Sequence, residues 1–171
     1  MAEKVYTNPE MDRSNWGPGP WDGEPDKVSW TDEETGLPCL AVRPVPHLGN
    51  WCGYVAVEPG HPWHGKGYEV PDVEVHGGLT FAASCDDDAP VEGAVCHMPE
   101  PGRPADVWWF GFDCGHFNDI SPAMVANCPE LTAIYDHAEG LFKPVYRPLA
   151  YVKAECRSLA AQLAAVAESS V

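Results

Sequence analysis

Eighteen prolines and sixteen glycines in a chain of 171 residues set the first limit on what this sequence can fold into. Proline removes a backbone donor and breaks helix interiors, and glycine punctuates turns, so the elements must be short and the turns many. A bundle of long helices is excluded. The length suits one ordinary domain with a real core and is too short for two. A hydrophobic content of 44% with 11% aromatic residues excludes a wholly disordered chain.

Within that limit, residues 1–26 show neither helical nor strand periodicity and read as an irregular N-terminal arm. Its tryptophans, Trp16 and Trp21, are costly to leave in water and are expected to dock on the body. Residues 27–171 form a single α+β domain. Val28 to Trp30, a polar turn from Thr31 to Gly36, and Leu37 to Val45 predict a hairpin. A second turn at Pro46 to Asn50 leads into Trp51 to Val57, completing a three-stranded meander. Val73 to Ala83 and Val107 to Asp113 are the remaining strand-like runs. The sum is an antiparallel sheet of about four to five strands with long loops.

Two helices follow. Ser121-Pro122 is a helix start, with serine as N-cap and proline at the first helical position. Pro129 keeps that helix short. At the C-terminus Pro148 opens an amphipathic helix, in which Leu149, Val152, Cys156, Leu159, Leu163 and Val166 recur at spacings of 3, 4, 3, 4 and 3. The same residues form a heptad seam, but it is too short for an independent coiled coil. Packing on the sheet is expected, with the monomer as the favoured state.

Charge narrows the partners. The formal net charge is −16, and residues 58–139 hold 15 acidic residues against only Lys66 and Arg103. Such a field repels phosphate backbones, so nucleic-acid binding is not expected; it attracts cations and basic surfaces. Seven cysteines without a C-x-x-C pair are read as reduced thiols serving as small core residues. With no apolar h-region after Met1-Ala2-Glu3-Lys4 and no run long enough to span a bilayer, a cytoplasmic protein without membrane contact is expected.

Two stretches carry the candidate chemistry. Val75-His76-Gly77-Gly78-Leu79-Thr80-Phe81 and Trp108 to Asp119 each bring an apolar run up to glycine beside groups able to ligate a metal or move a proton. Taken as antiparallel neighbours, they place His76 beside Asp113 at one sheet edge. Gly77 and Gly78 mark a bulge or a close approach, and Glu74 shares the face of His76 if that strand is regular. Three chemistries fit. His76, Asp113, His116 and Asp119 can hold a divalent metal, with Zn, Mn or Fe suited to imidazole and carboxylate, and activate water for hydrolysis. An Asp113–His76 or Asp113–His116 pair can act as base and orienter without metal. Cys114 beside His116 can serve as an activated thiolate. Against all three stands a local hydrogen-bonded pin that holds loops over the sheet.

Weaker signals surround these. His61 and His64 sit on the loop leading into the His76 segment and can line the same pocket. Cys96-His97 with Cys114-x-His116 lacks the spacer of a zinc set, and Asp86-Asp87-Asp88 lacks the offsets of a calcium loop.

At these residues the chain resembles a group of small proteins, without an assigned activity, that recur in bacteriophage and prophage genomes, often of actinobacterial hosts. The resemblance rests on Gly60-His61-Pro62 with Gly65-Lys66, Val75-His76-Gly77-Gly78-Leu79-Thr80, Phe110-Gly111-Phe112-Asp113-Cys114-x-His116, and Tyr151-Val152. It covers roughly residues 38–163 and leaves the arm unmatched. Phe117-Asn118 departs from the group, where a small residue pair more often precedes the final aspartate. The resemblance implies a phage accessory protein. The expected function is therefore binding of a host protein or a small ligand through the polar His/Asp pocket. The alternatives are a small metal-dependent hydrolase using the same pocket and an acidic nucleic-acid mimic.

Overall fold

Alternation of side chains along extended backbone decides the architecture. In the segments Cys39–Val42 and Trp51–Val57, odd-numbered residues (Cys39, Ala41, Trp51, Val55, Val57) belong to one buried cluster. Even-numbered residues (Leu40, Val42, Cys52, Tyr54, Ala56) belong to a second. A strand that is apolar on both faces must lie inside a sheet covered on both sides. The computed structural model describes residues 3–45, 48–85, 89–95, 101–128, 130 and 143–169, and it has that arrangement.

Six strands form one antiparallel sheet: β1 Lys4–Tyr6, β2 Lys27–Thr31, β3 Pro38–Val42, β4 Cys52–Val57, β5 Phe81–Ser84 and β6 Trp108–Asp113. Their spatial order is β1-β2-β3-β4-β6-β5. The meander β2-β3-β4 is as expected, and the sheet is α+β with a slightly higher strand count. The extra edge strand, β1, comes from within the N-terminal arm. Its three residues carry no readable alternation, and it pairs Lys4 to Ser29 through Tyr6 to Lys27.

The helix α1 spans Pro122–Asn127 and the C-terminal helix α2 spans Leu149–Ser169. Val152, Cys156, Leu159 and Leu163 of α2 are fully buried in the odd-face cluster with Val55, Phe110 and Phe112. The helix comes close because Gly53 lacks a side chain: a Cβ there would lie 2.4 Å from the Phe112 ring and 2.9 Å from Cys156 Sγ. Two further strands, β7 Asp119–Ile120 and β8 Val145–Tyr146, pair in parallel as a small separate sheet. They are too short to show a pattern in sequence.

The arm is docked. Trp21 is buried and meets Tyr146 edge-on at 5.3 Å. Glu24 Oε2 accepts hydrogen bonds from Arg43 Nη2 (2.5 Å), Tyr146 Oη (2.5 Å) and Trp51 Nε1 (3.1 Å). Its Oε1 accepts from the Leu149 amide at 2.8 Å, one of the donors left open at a helix N-terminus. Arg43 has no solvent exposure, and its guanidinium lies 4.2 Å over the Trp51 ring and 5.4 Å over that of Trp16. Fully buried Lys27 ties down a loop by donating to the carbonyls of Val91 and Ala94.

Two expectations are corrected here. Val73 to Ala83 is not one strand; only Phe81–Ser84 is extended. Gly77 and Gly78 both have positive φ, at 66° and 86°, and the Gly78 amide closes a turn on the Val75 carbonyl at 2.9 Å. Nor are all thiols reduced. Cys39, Cys52, Cys114, Cys128 and Cys156 are free, but Cys85 is disulfide-bonded. The stretches Asp86–Asp88 and Cys96–His97 lie outside the described residues, as do Pro46 and His47 of the second expected turn. No helix among the described residues is long and apolar enough to cross a membrane.

Candidate functional site

The site grows from the end of β6. Register sets Cys52 opposite Asp113 and Phe81 opposite Gly111, so β5 and β6 are antiparallel neighbours, as the His76 hypothesis required. The chain turns away before His76 is reached, however, and Thr80 takes its place. The Thr80 amide bonds the Gly111 carbonyl at 2.9 Å, and its hydroxyl donates to Asp113 Oδ2 at 3.0 Å. The expected His76–Asp113 contact is replaced by two others.

The first is His76 with Asp119. His76 Nε2 lies 2.7 Å from Asp119 Oδ2, and its Nδ1 lies 3.0 Å from the Tyr151 hydroxyl. A carboxylate only accepts, so Nε2 carries the proton, and in the neutral ring Nδ1 then accepts from the Tyr151 hydroxyl. The His76 amide is held by Glu155 of α2 at 2.8 Å. Asp119 also accepts from the His116 amide at 3.0 Å and from Arg147 Nε at 2.9 Å. Burial pushes this carboxyl up, but the bonds from His76, Arg147 and the His116 backbone outweigh it and hold it down at about 2. Its side chain is 1% exposed.

The second is His116 with Asp113. His116 Nδ1 lies 3.3 Å from Asp113 Oδ1, which also accepts from the Gly115 amide at 3.0 Å. The two side chains are each about a third exposed, at 33% and 34%. The rings of His76 and His116 meet at 5.4 Å, and glycine at position 77 makes this possible: a Cβ there would stand 1.7 Å from His116 Nε2.

His76, His116 and Asp119 each offer one ligand atom, and these atoms lie within 4.8 Å of one another. The residues converge from separate parts of the fold, and imidazole with carboxylate is a donor set suited to Zn, Mn or Fe. Asp113 reaches the group only through His116.

An open cleft of about 750 Å³ lies beside these residues, on the sheet face opposite α2. Asn50, Thr80, Asp113, His116, Asp119 and Ser121 are among its polar lining. Leu48 and Phe117 also line it, 52% and 87% exposed. Ser121 is buried and precedes α1 as its N-cap residue, yet its hydroxyl makes no capping bond and has no partner among the described residues.

The other expected site residues fall elsewhere. Glu74 is exposed and exchanges backbone bonds with Gln162 of α2 at 2.7 and 2.8 Å. His61 Nε2 lies 2.9 Å from the Leu163 carbonyl, and His64 packs 6.1 Å from Trp108 with Asp106 at 3.8 Å. Gly77 and Gly78 position the His116 ring and the turn, and neither lines the cleft. Cys114 is buried, and burial together with the Asp119 charge pushes its thiol well up. That is the opposite of an activated thiolate. Arg147, Tyr151 and Glu155 had no assigned role in the sequence. Tyr151 and Glu155, spaced i, i+4 on α2, mark one helix face, whereas Arg147 lies two residues before the helix begins.

No family model, curated protein or solved structure matches this chain.

Proposed function

We propose that this protein is an accessory binding protein that holds a small ligand in the cleft beside His116 and Asp113. The observation that carries the reading is the division of labour between the two His–Asp pairs. Asp119 and both nitrogens of His76 are already bonded within the protein. His116 and Asp113 stand a third exposed in a cleft whose volume suits a small molecule. The resemblance of the motifs at His76 and Asp113 to those of small phage proteins is in keeping with an accessory role. Binding of a host protein is the broader form of the same reading, and the concave cleft favours the small molecule.

Amide chemical-shift mapping against a library of small polar fragments tests it. Saturable shifts are expected at Thr80 and from Asp113 to Ser121. Shifts scattered over the surface, or confined to another region, would overturn the reading.

A second reading is a metal-dependent hydrolase, favoured by the 4.8 Å spread of ligand atoms from His76, His116 and Asp119. Metal at His76 Nε2 demands the other tautomer, with Nδ1–H donating to Tyr151, and requires Asp119 to exchange a partner. Elemental analysis decides it: near-stoichiometric Zn, Mn or Fe, lost in His76→Ala, would favour the metal centre over the ligand cleft.

A further inference from the structure

The lining of the cleft also restricts what it can take. Among the described residues two carboxylates and one histidine line it, with no lysine or arginine. Of the carboxylates, Asp119 is 1% exposed and is compensated by Arg147, so Asp113, at 34%, is the negative charge a ligand would meet. Asp113 Oδ1 accepts from Gly115 and faces His116, while Oδ2 accepts from Thr80 as its one partner among the described residues. Each carboxylate oxygen has two lone pairs, so Oδ2 keeps one acceptor position. The formal charge of −16 adds a long-range field of the same sign, which raises the local concentration of cations.

The cleft also has apolar lining. Phe117 is 87% exposed and Leu48 52% exposed, and Met124, Pro44 and Phe81 line the cleft with them. An aromatic ring left almost wholly in water gains by covering, which a flat or aliphatic ligand body supplies.

We propose that the cleft takes a cationic amphiphile, its ammonium or guanidinium head on Asp113 and its apolar body against Phe117 and Leu48. The proposal rests on the ligand-binding reading above and names the ligand class.

Three probes with one ring and different heads test it: phenethylammonium, 3-phenylpropionate and 2-phenylethanol, each titrated while amide shifts are followed. The ammonium probe is expected to shift Thr80, Gly115, His116 and Phe117 and to bind about tenfold tighter than the carboxylate, a margin of attraction on one side and repulsion on the other. Asp113→Asn keeps the side-chain shape and is expected to remove that margin. Phe117→Ala, at an exposed position, leaves the fold intact and is expected to weaken the ammonium and alcohol probes alike, by about fivefold for a lost apolar contact of about 1 kcal/mol. Equal or tighter binding of the carboxylate or alcohol at these amides would overturn the cationic class and leave the ligand cleft standing. Absence of shifts with all three probes would overturn both.

Discussion

Two charged clusters tie this chain together, and they are built on opposite principles. Around Glu24 the side-chain partners of the carboxylate are enclosed: Arg43 is fully buried against the Trp51 ring, and the carboxylate caps α2 while it binds Tyr146 and Trp51. Around Asp119 the inner half is equally saturated, but the network continues outward through His116 to Asp113 and ends in a cleft. A buried ion pair contributes little net stability but is costly to break. A half-exposed pair costs little to leave open and remains available to a ligand. Exposure, more than the presence of charge, separates the cluster that holds the fold from the one that meets solvent.

The largest effect that sharpens this contrast is expected at the enclosed cluster. Arg43→Met leaves the largely enclosed Glu24 carboxylate without its cation and is expected to cost about 3–5 kcal/mol, measured by urea denaturation. A loss below 1 kcal/mol would mean that the aromatic cage, and not the charge pair, carries this region.

Gly77→Ala comes next. It places a side chain at positive φ and into the His116 ring, and is expected to cost about 2–4 kcal/mol from backbone strain and overpacking. The amides of Asp113 to Phe117 should shift, while those around Glu24 stay unchanged. Shifts spread over both clusters would contradict their independence.

The smallest effect is in acid. Asp119 titrates at about 2 in the fold against an ordinary 3.8, so the stability it contributes is complete above 3.8 and is lost as pH falls through about 2. Asp119→Asn should flatten that part of the stability–pH curve. An unchanged curve would show that the acid sensitivity comes from other carboxylates.

Much of the fold was legible in sequence because periodicity is a repeated signal. The apolar runs within Leu37 to Val57 and the 3-4 spacing of α2 each rest on several residues, burying both faces of the strands and one face of the helix. The chain hid what depends on single backbone angles. Gly77 and Gly78 predict a bulge or a close approach; the close approach is present at the His116 ring, but in place of a bulge the paired positive φ values make a turn that limits β5 to Phe81–Ser84. That turn moved His76 away from Asp113 and toward Asp119. The site residues His76, Asp113, His116 and Asp119 were all named from their chemistry, but their pairing followed from the turn. Arg147 and Tyr151 lie over 25 residues further along the chain than Asp119, and no local pattern connects them to it. The disulfide at Cys85 had no spacing signal.

The central claim is that the His116–Asp113 end serves a ligand and does not merely pin loops. Urea denaturation of Asp113→Asn beside the wild type, with phenethylammonium titrated into both, tests it most directly. The account predicts stability within about 1 kcal/mol of wild type, the cost of a partly exposed hydrogen bond, together with loss of the preference for the ammonium head. A loss of about 3–5 kcal/mol, matching Arg43→Met, with no change in ligand preference, would contradict it and make the whole network a structural pin.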